Sequence, residues 1–119
     1  KPHKLYTRQG NDVIVEVPIT FVQAALGGSV QVPTLDGPVD LKIPAGIQSG
    51  KVLRIKGRGI PFLRGSGRGD ELVHIKVLTP QNLSGRQKEL LREFGEISGD
   101  KVNPEQKSFL DDLKRFFKK

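Results

Sequence analysis

Residues 13–28, VIVEVPITFVQAALGG, change their hydrophobic periodicity once, and this change decides how the fold begins. Apolar residues first recur at every second position, which predicts a β-strand with one buried face. Thr20 then suits the N-cap of a short helix over residues 21–26, and Gly27 suits its end. The apolar residues at alternate positions are Val13, Val15, Val17 and Ile19.

The same alternation continues to residue 79 and predicts further strands. Asp36-Gly37 is a two-residue hairpin signal, because Gly readily adopts the positive φ that such a turn requires. A glycine-rich stretch over residues 57–69 joins the last two strands. The residues predicted to face the core are Val30, Val32, Val39, Leu41, Ile43, Leu53, Ile55, Val73, Ile75 and Val77.

After Pro80 the period changes to that of helices. Ser84 with Gln87 is a capping box, and Gly95 is a helix stop signal, so we expect a helix within residues 81–95. Residues 96–102 are a polar linker. Asn103 as cap and Pro104 at the first helical position predict a last helix within residues 103–119.

The sequence therefore predicts a mainly β protein. Its body, residues 1–80, is expected to be a small β-sandwich or barrel-like domain with one short internal helix, followed by two C-terminal helices. The helix of residues 81–95 is expected to pack on or beside this domain. The chain has 119 residues and begins with Lys1-Pro2 rather than Met, and we interpret it as a piece of a longer protein.

Composition excludes several kinds of site. The chain has no Cys and only two His, which argues against disulfides, thiol catalysis and bound metal. The glycine-rich stretch has no Lys-Ser/Thr pair and precedes no helix, so it is not a nucleotide loop. His74 lies near Asp70 but has no Ser to complete a triad. We expect neither an enzyme nor a cofactor site, and no apolar run long enough for a membrane span.

The net charge of +7 comes from one basic run between Asp40 and Asp70. Such a run attracts phosphates or acidic peptides. Nucleic-acid modules usually add stacking aromatic residues, of which only Phe62 is available, so nucleic-acid binding is the disfavoured alternative. A solvated surface without a ligand also remains open. The predicted acidic-peptide patch consists of Lys51, Arg54, Lys56 and Arg58.

Two sets of apolar residues indicate partners. A helix of about 15 residues is marginal alone in water, yet the last helix carries three Phe and two Leu, which either pack on the chain's own sheet or on a second copy. We favour the second copy. The predicted dimer contacts are Phe109, Leu110, Leu113, Phe116 and Phe117, with Leu90, Leu91 and Phe94 as weaker candidates that also suit the core. A candidate patch for unfolded client polypeptide consists of the outward-facing Ile14, Leu72 and Leu78, together with Phe62.

Several motifs together resemble a known family. They are VPTLDG (32–37), LKIPAGIQSG (41–50), LRIKGRGIP (53–61), RGDELVHIKV (68–77) and TPQNLSGRQKELLREF (79–94). In this order they resemble the second C-terminal β-domain of DnaJ-type J-domain co-chaperones, and residues 108–117 resemble that family's terminal dimerisation segment.

The resemblance implies a cytoplasmic, non-catalytic co-chaperone module that forms a homodimer, holds unfolded polypeptide and delivers it to a partner ATPase chaperone. The chain contains no His-Pro-Asp tripeptide, Gly/Phe-rich linker or Cys-x-x-Cys repeat. The resemblance therefore also implies that this chain alone does not stimulate the ATPase and binds clients weakly.

Overall fold

A computed structural model of the chain describes residues 6–98 and 104–117. These residues fall into two compact units, the first ending at Pro80 and the second beginning at Gln81. The prediction of a mainly β body with one internal helix and two C-terminal helices is confirmed. In chain order the elements are β1 (Tyr6–Gln9), β2 (Asp12–Thr20), α1 (Phe21–Leu26), β3 (Gly28–Thr34), β4 (Gly37–Ile43), β5 (Val52–Ile55), β6 (Glu71–Leu78), α2 (Gly85–Ser98) and α3 (Pro104–Phe117).

The first unit contains a four-stranded sheet in the order β1-β2-β6-β5 and a two-stranded sheet of β3 and β4. The central strands β2 and β6 run parallel, and each pairs with an antiparallel edge strand. The strands described here do not close into a barrel, so the sandwich alternative is the one the chain adopts.

Residues at alternate positions of both sheets build one core, as the sequence predicts. Side chains of β2 and β6 meet those of the two-stranded sheet, and the burial of such side chains is the main force that holds two sheets together. The buried cluster is Val15, Val17, Ile19, Ala24, Val32, Ile43, Val73 and Ile75.

The short helix α1 begins as predicted at Thr20. The Thr20 hydroxyl accepts a hydrogen bond from the backbone N–H of Gln23 (3.0 Å), and the Gln23 side chain accepts one from the N–H of Thr20 (2.9 Å). This reciprocal pair satisfies two donors that a helix start otherwise leaves unpaired. The helix thus leaves β2 without an intervening loop.

The turn between β3 and β4 lies one residue earlier than predicted. Thr34 pairs with Gly37, so the two turn residues are Leu35 and Asp36. The Thr34 hydroxyl donates to the carbonyl of Gly37 (2.5 Å) and accepts from the N–H of Asp36 (3.1 Å), which closes the turn around these residues. Gly37 still supplies the positive φ (+113°), but as the first residue of the returning strand.

The glycine-rich stretch forms an extension of the sheet that is fastened to the turn between β1 and β2. The Ile60 N–H donates to the Asn11 carbonyl (2.8 Å), and Pro61 bridges to Arg68. Gly59 and Gly69 lie so close to the Asn11 backbone that a Cβ on either residue would overlap it. Two chain segments approach each other too closely at these two positions for a residue with a side chain.

The second unit consists of α2 and α3. Ser84 and Gln87 form the predicted capping box before α2. The prediction that this helix ends at Gly95 is wrong, because α2 continues to Ser98 and Gly95 has no positive φ. The Ser98 hydroxyl donates to the Phe94 carbonyl (2.7 Å), one turn back. The predicted cap Asn103 and most of the predicted linker lie outside the described residues.

Candidate functional site

An apolar surface of the second unit runs as a stripe along α3. Its large side chains recur at spacings of three and four, which places them on one side of a helix. Phe116 and Phe117 remain 74% and 73% exposed, and their rings meet edge to face with centroids 5.1 Å apart. The members of this α3 stripe are Phe109, Leu110, Leu113, Phe116 and Phe117, all exposed.

The remainder of α3 is charged in a pattern that suits a helix. Glu105 lies in the first turn, and Lys114 and Arg115 lie in the last, where they complement the partial charges of the helix ends. Arg115 also forms an ion pair with Asp112, three residues earlier. Because charged groups favour contact with water, the apolar stripe is the side of α3 that is suited to a partner.

A second stripe follows α2. Leu90, Leu91 and Phe94 are exposed, and Ile97 extends the same side of the helix with 78% of its surface exposed. Ile97 follows Phe94 by three residues and Leu90 by seven, and this spacing in the sequence places it on the same side of a helix. Ile97 lies beyond the helix end predicted at Gly95 and was therefore not among the predicted contacts. These four residues form the α2 stripe.

The four candidate client residues lie in three places. Ile14 and Leu72 are register partners on the outer face of β2 and β6, and both are half-buried. Leu78 lies six residues beyond Leu72, at roughly 3.3 Å per residue about 20 Å away, with His74 and Lys76 between them on the same face. Phe62 lies in the glycine-rich stretch. The structure thus brings together only Ile14 and Leu72.

The tip of the glycine-rich stretch presents apolar side chains. Phe62 is 44% exposed and Leu63 is fully exposed. The Phe62 N–H donates to the Gly67 carbonyl (3.1 Å), and the Asn11 amide donates to the Pro61 carbonyl (3.1 Å). The tip is therefore held by one backbone hydrogen bond within the stretch and by one hydrogen bond from the side chain of Asn11.

The predicted acidic-peptide patch is partly neutralised by the chain's own carboxylates. Arg54 pairs with Asp70 (2.5 Å), and Arg58 lies 3.5 Å from Asp36. Lys51 and Lys56 are exposed on the same segment. An acidic ligand would therefore meet the two lysines directly and would compete with Asp70 and Asp36 for the two arginines.

Asp70, directly before β6, accepts hydrogen bonds from two residues and forms an ion pair with one of them, Arg54. The N–H of Gly57 donates to its carboxylate (2.8 Å) and Arg54 donates to the other oxygen. These hydrogen bonds, first the one from Gly57 and then the one from Arg54, lower the pKa of Asp70 below its ordinary value. Asp70 therefore carries a full negative charge at neutral pH.

Glu71, the next residue, differs from Asp70 in its burial and in its hydrogen bonding. The side chain has no exposed surface, and neither carboxyl oxygen has a hydrogen-bond partner. Burial raises the pKa of Glu71 to about 7, although the charge of Arg58 opposes the shift. The sequence analysis did not single out Glu71, yet its position in phase with Val73 and Ile75 placed it on the inward face.

Within the described part of the chain, no three His, Cys, Asp or Glu side chains cluster as metal ligands. Over the same residues, each helix is too short or too polar to cross a lipid bilayer.

Comparison with known proteins identifies the family of both units. The family described as DnaJ C terminal domain matches residues 1–80, and that described as Chaperone protein DnaJ C-terminal region matches residues 86–119. The boundary between these two matches agrees with the division of the structure after Pro80.

Curated relatives agree with this assignment. Over 118 residues, 99% of the chain, it is 57% identical to the Chaperone protein DnaJ of Ruminiclostridium cellulolyticum, and it covers 31% of that relative. It is 56% identical to the protein of the same name from Desulfitobacterium hafniense over 114 residues, which are 96% of the chain and 30% of the relative. The chain thus spans about a third of the length of these relatives. It belongs to the DnaJ family, and it comprises the DnaJ C-terminal domain together with the C-terminal region that follows it.

Proposed function

We propose that this chain is a non-catalytic co-chaperone module that dimerises through its C-terminal helices and holds unfolded polypeptide for delivery to a partner ATPase chaperone. The observation that carries the proposal is the α3 stripe, five large apolar side chains exposed on one short helix. Membership of the DnaJ family, whose relatives are named as chaperone proteins, supports the co-chaperone role. We expect this action to take place in the cytoplasm.

The energetics of such a dimer favour participation of both helices. Covering the exposed parts of five side chains stabilises by about 1 kcal/mol each, so two copies of the α3 stripe contribute on the order of 10 kcal/mol. Association itself costs roughly 4–15 kcal/mol. The α3 stripe alone is therefore marginal, and adding Leu90, Leu91 and Phe94 would make the dimer stable. The alternative for these three residues is packing within their own chain.

Dimerisation compensates for the small apolar area of the client surface. Ile14 and Leu72 offer only a small apolar area, and such an area binds an extended chain weakly. Two copies in one dimer engage the same client at a raised effective concentration, so avidity replaces the missing contacts. The binding is then tolerant of client sequence, which suits unfolded polypeptide.

The basic patch is a second contact surface in this proposal. Lys51 and Lys56 are exposed and available to the acidic side chains of a peptide, such as an acidic segment of the partner ATPase. Binding of nucleic acid is the alternative function. The ion pairs of Arg54 and Arg58 reduce the charge that phosphates would meet, and a nucleic-acid ligand would show a steep dependence of affinity on salt.

Light scattering of the full chain tests the dimer. We expect a mass near twice 13.1 kDa at about 100 µM, a concentration well above a micromolar dissociation constant. Phe116→Asp, or removal of residues 103–119, should give a monomer. Phe62→Asp is the matched control, because it places the same charge on another exposed Phe and should leave the mass unchanged. A monomeric full chain would refute the proposal.

A fluorescent unfolded polypeptide tests client binding. The double variant Ile14→Ser, Leu72→Ser should weaken binding while the dimer mass stays constant. Leu78→Ser is the control, since Leu78 lies apart from this pair. Equal weakening by both variants would show that the Ile14–Leu72 pair is not the contact.

A further inference from the structure

Glu71 is a buried carboxyl group with no hydrogen-bond partner for either oxygen in the described structure. It is also the first residue of β6, directly after the residue that anchors the glycine-rich stretch through Gly57. A buried and unpaired polar group is costly, because it loses its hydration without compensation. The cost is smaller for a neutral carboxyl than for a charged one, so the protonation state of Glu71 matters at the base of this stretch.

The groups around Glu71 offer almost no countercharge. Its register neighbours are Val13 on β2 and Ile55 on β5, both apolar. On β1, burial and then the charge of Glu71 raise the pKa of the Tyr6 hydroxyl. Arg8, also on β1, is exposed and donates to the carbonyl of Gly10 (2.7 Å). The cation that acts on Glu71 is Arg58, from the glycine-rich stretch.

Arg58 connects Glu71 to a wider set of contacts. Its guanidinium lies 3.5 Å from the carboxylate of Asp36, at the tip of the β3–β4 hairpin. That distance is long for a charge-assisted hydrogen bond, so the contact is weak. Arg58 is therefore held only loosely by the exposed carboxylate of Asp36.

We propose that Glu71 is a proton-controlled latch for residues 57–69. When Glu71 is protonated it is neutral and remains in the core, and the glycine-rich stretch stays closed against Asn11. When Glu71 loses its proton, a charge without a hydrogen-bond partner is left in the core. Because such a charge is costly, ionisation favours conformations in which residues 57–69 move away from the start of β6 and admit water to the carboxylate, which loosens the stretch and its apolar tip at Phe62 and Leu63. The presentation of this tip then depends on pH around neutrality.

The pH range in which Glu71 ionises supports the latch. With the pKa of Glu71 at about 7, the protonated fraction falls roughly tenfold between about pH 6 and about pH 8. An exposed glutamate, with an ordinary pKa near 4.3, is fully ionised throughout that range.

Hydrogen exchange of three amides tests the latch in the full chain. The N–H groups of Ile60, Phe62 and Gly69 each donate within or beside the stretch. After correction for intrinsic exchange rates, we expect their protection to fall up to about tenfold from pH 6 to pH 8, following the loss of the protonated form. In Glu71→Gln, which keeps the shape but never ionises, protection should be independent of pH. Glu16→Gln, an exposed glutamate on the outer face of β2, should behave as the parent chain.

Equal pH dependence in the parent chain and in Glu71→Gln, or no dependence in the parent, would overturn the proposal. If Glu71→Gln does not fold, the carboxyl carbon shift of Glu71 in the parent chain decides by NMR. A midpoint above pH 6 supports the latch, and a midpoint near 4.5 refutes it.

Discussion

Arg68 and Asp36 join the two sheets of the first unit, with a guanidinium nitrogen 2.6 Å from a carboxylate oxygen. Arg68 also donates to the Gly59 carbonyl (2.9 Å), so its side chain fixes the glycine-rich stretch and reaches the β3–β4 hairpin at the same time. Residues 32 positions apart in the chain thereby hold the turn and the stretch together.

Asp36→Ala should therefore lower the free energy of unfolding by roughly 1 kcal/mol or less, because the ion pairs it loses are partly exposed. Urea denaturation at low salt measures the loss, and added salt should reduce the difference. Asp40→Ala is the control, since Asp40 is exposed on the same hairpin. Equal effects of the two substitutions would mean that the pairs with Arg58 and Arg68 contribute nothing to stability.

Gly69→Ala should destabilise the first unit by more than about 2 kcal/mol, since overpacking against backbone cannot be relieved by rotation of a side chain. A methyl group at this position would overlap the Asn11 carbonyl. Chemical denaturation of the variant gives the value. Gly10→Ala serves as a comparison, because its position has open space and only an unfavourable φ (+63°). A Gly69→Ala chain as stable as Gly10→Ala would contradict the close approach.

Gly95→Ala should stabilise α2 by roughly 0.5–1 kcal/mol, because Gly in a helix interior is less favourable than Ala. The position has open space around it and no positive φ. Circular dichroism of the thermal transition measures the gain. At a helix end where Gly95 had a positive φ, the same substitution would destabilise the helix, so the sign of the effect distinguishes a helix interior from such an end.

Stability should also depend on pH through Glu71. The folded-state pKa of about 7 lies above the ordinary 4.5, so the folded chain binds the proton more tightly and the contribution of Glu71 to stability falls as pH rises from 4.5 to 7. The total loss is up to about 3 kcal/mol. Glu71→Leu should remove this dependence and be more stable than the parent at pH 8 in urea denaturation. Parallel pH profiles of the two chains would contradict the burial of an ionisable group.

The parts of the fold that could be predicted are those that local rules fix. Alternation of Val13, Val15 and Val17 predicts a strand because the period of a strand is two, and Thr20 with Gln23 lies within one helical turn. The shifted turn depends on the Thr34 hydroxyl, and Gly95 is compatible with both a helix end and a helix interior. The spacing of residues alone therefore predicts neither the position of this turn nor the end of α2.

The contacts that distinguish the candidate sites are non-local and could not be predicted. The basic run between residues 41 and 69 is visible in the sequence, but the pairing of Arg58 and Arg68 with Asp36 requires the two sheets to be folded. The alternation in β6 places Glu71 on the inward face, whereas the usual cost of burying a carboxylate predicts that it faces solvent. Only the structure shows that the side chain is buried nonetheless.

Ile97 provides the sharpest test of which helix surfaces form the proposed dimer. If the α2 stripe takes part, Ile97→Ser should weaken dimerisation by about tenfold or more, since it removes an apolar side chain with 78% of its surface available to a partner. Analytical ultracentrifugation over a range of concentrations gives the dissociation constant. Glu93→Ser, an exposed residue of the same helix, is the control and should leave the constant unchanged. If Phe116→Asp abolishes the dimer while Ile97→Ser leaves it intact, the interface is confined to α3 and the α2 stripe packs elsewhere.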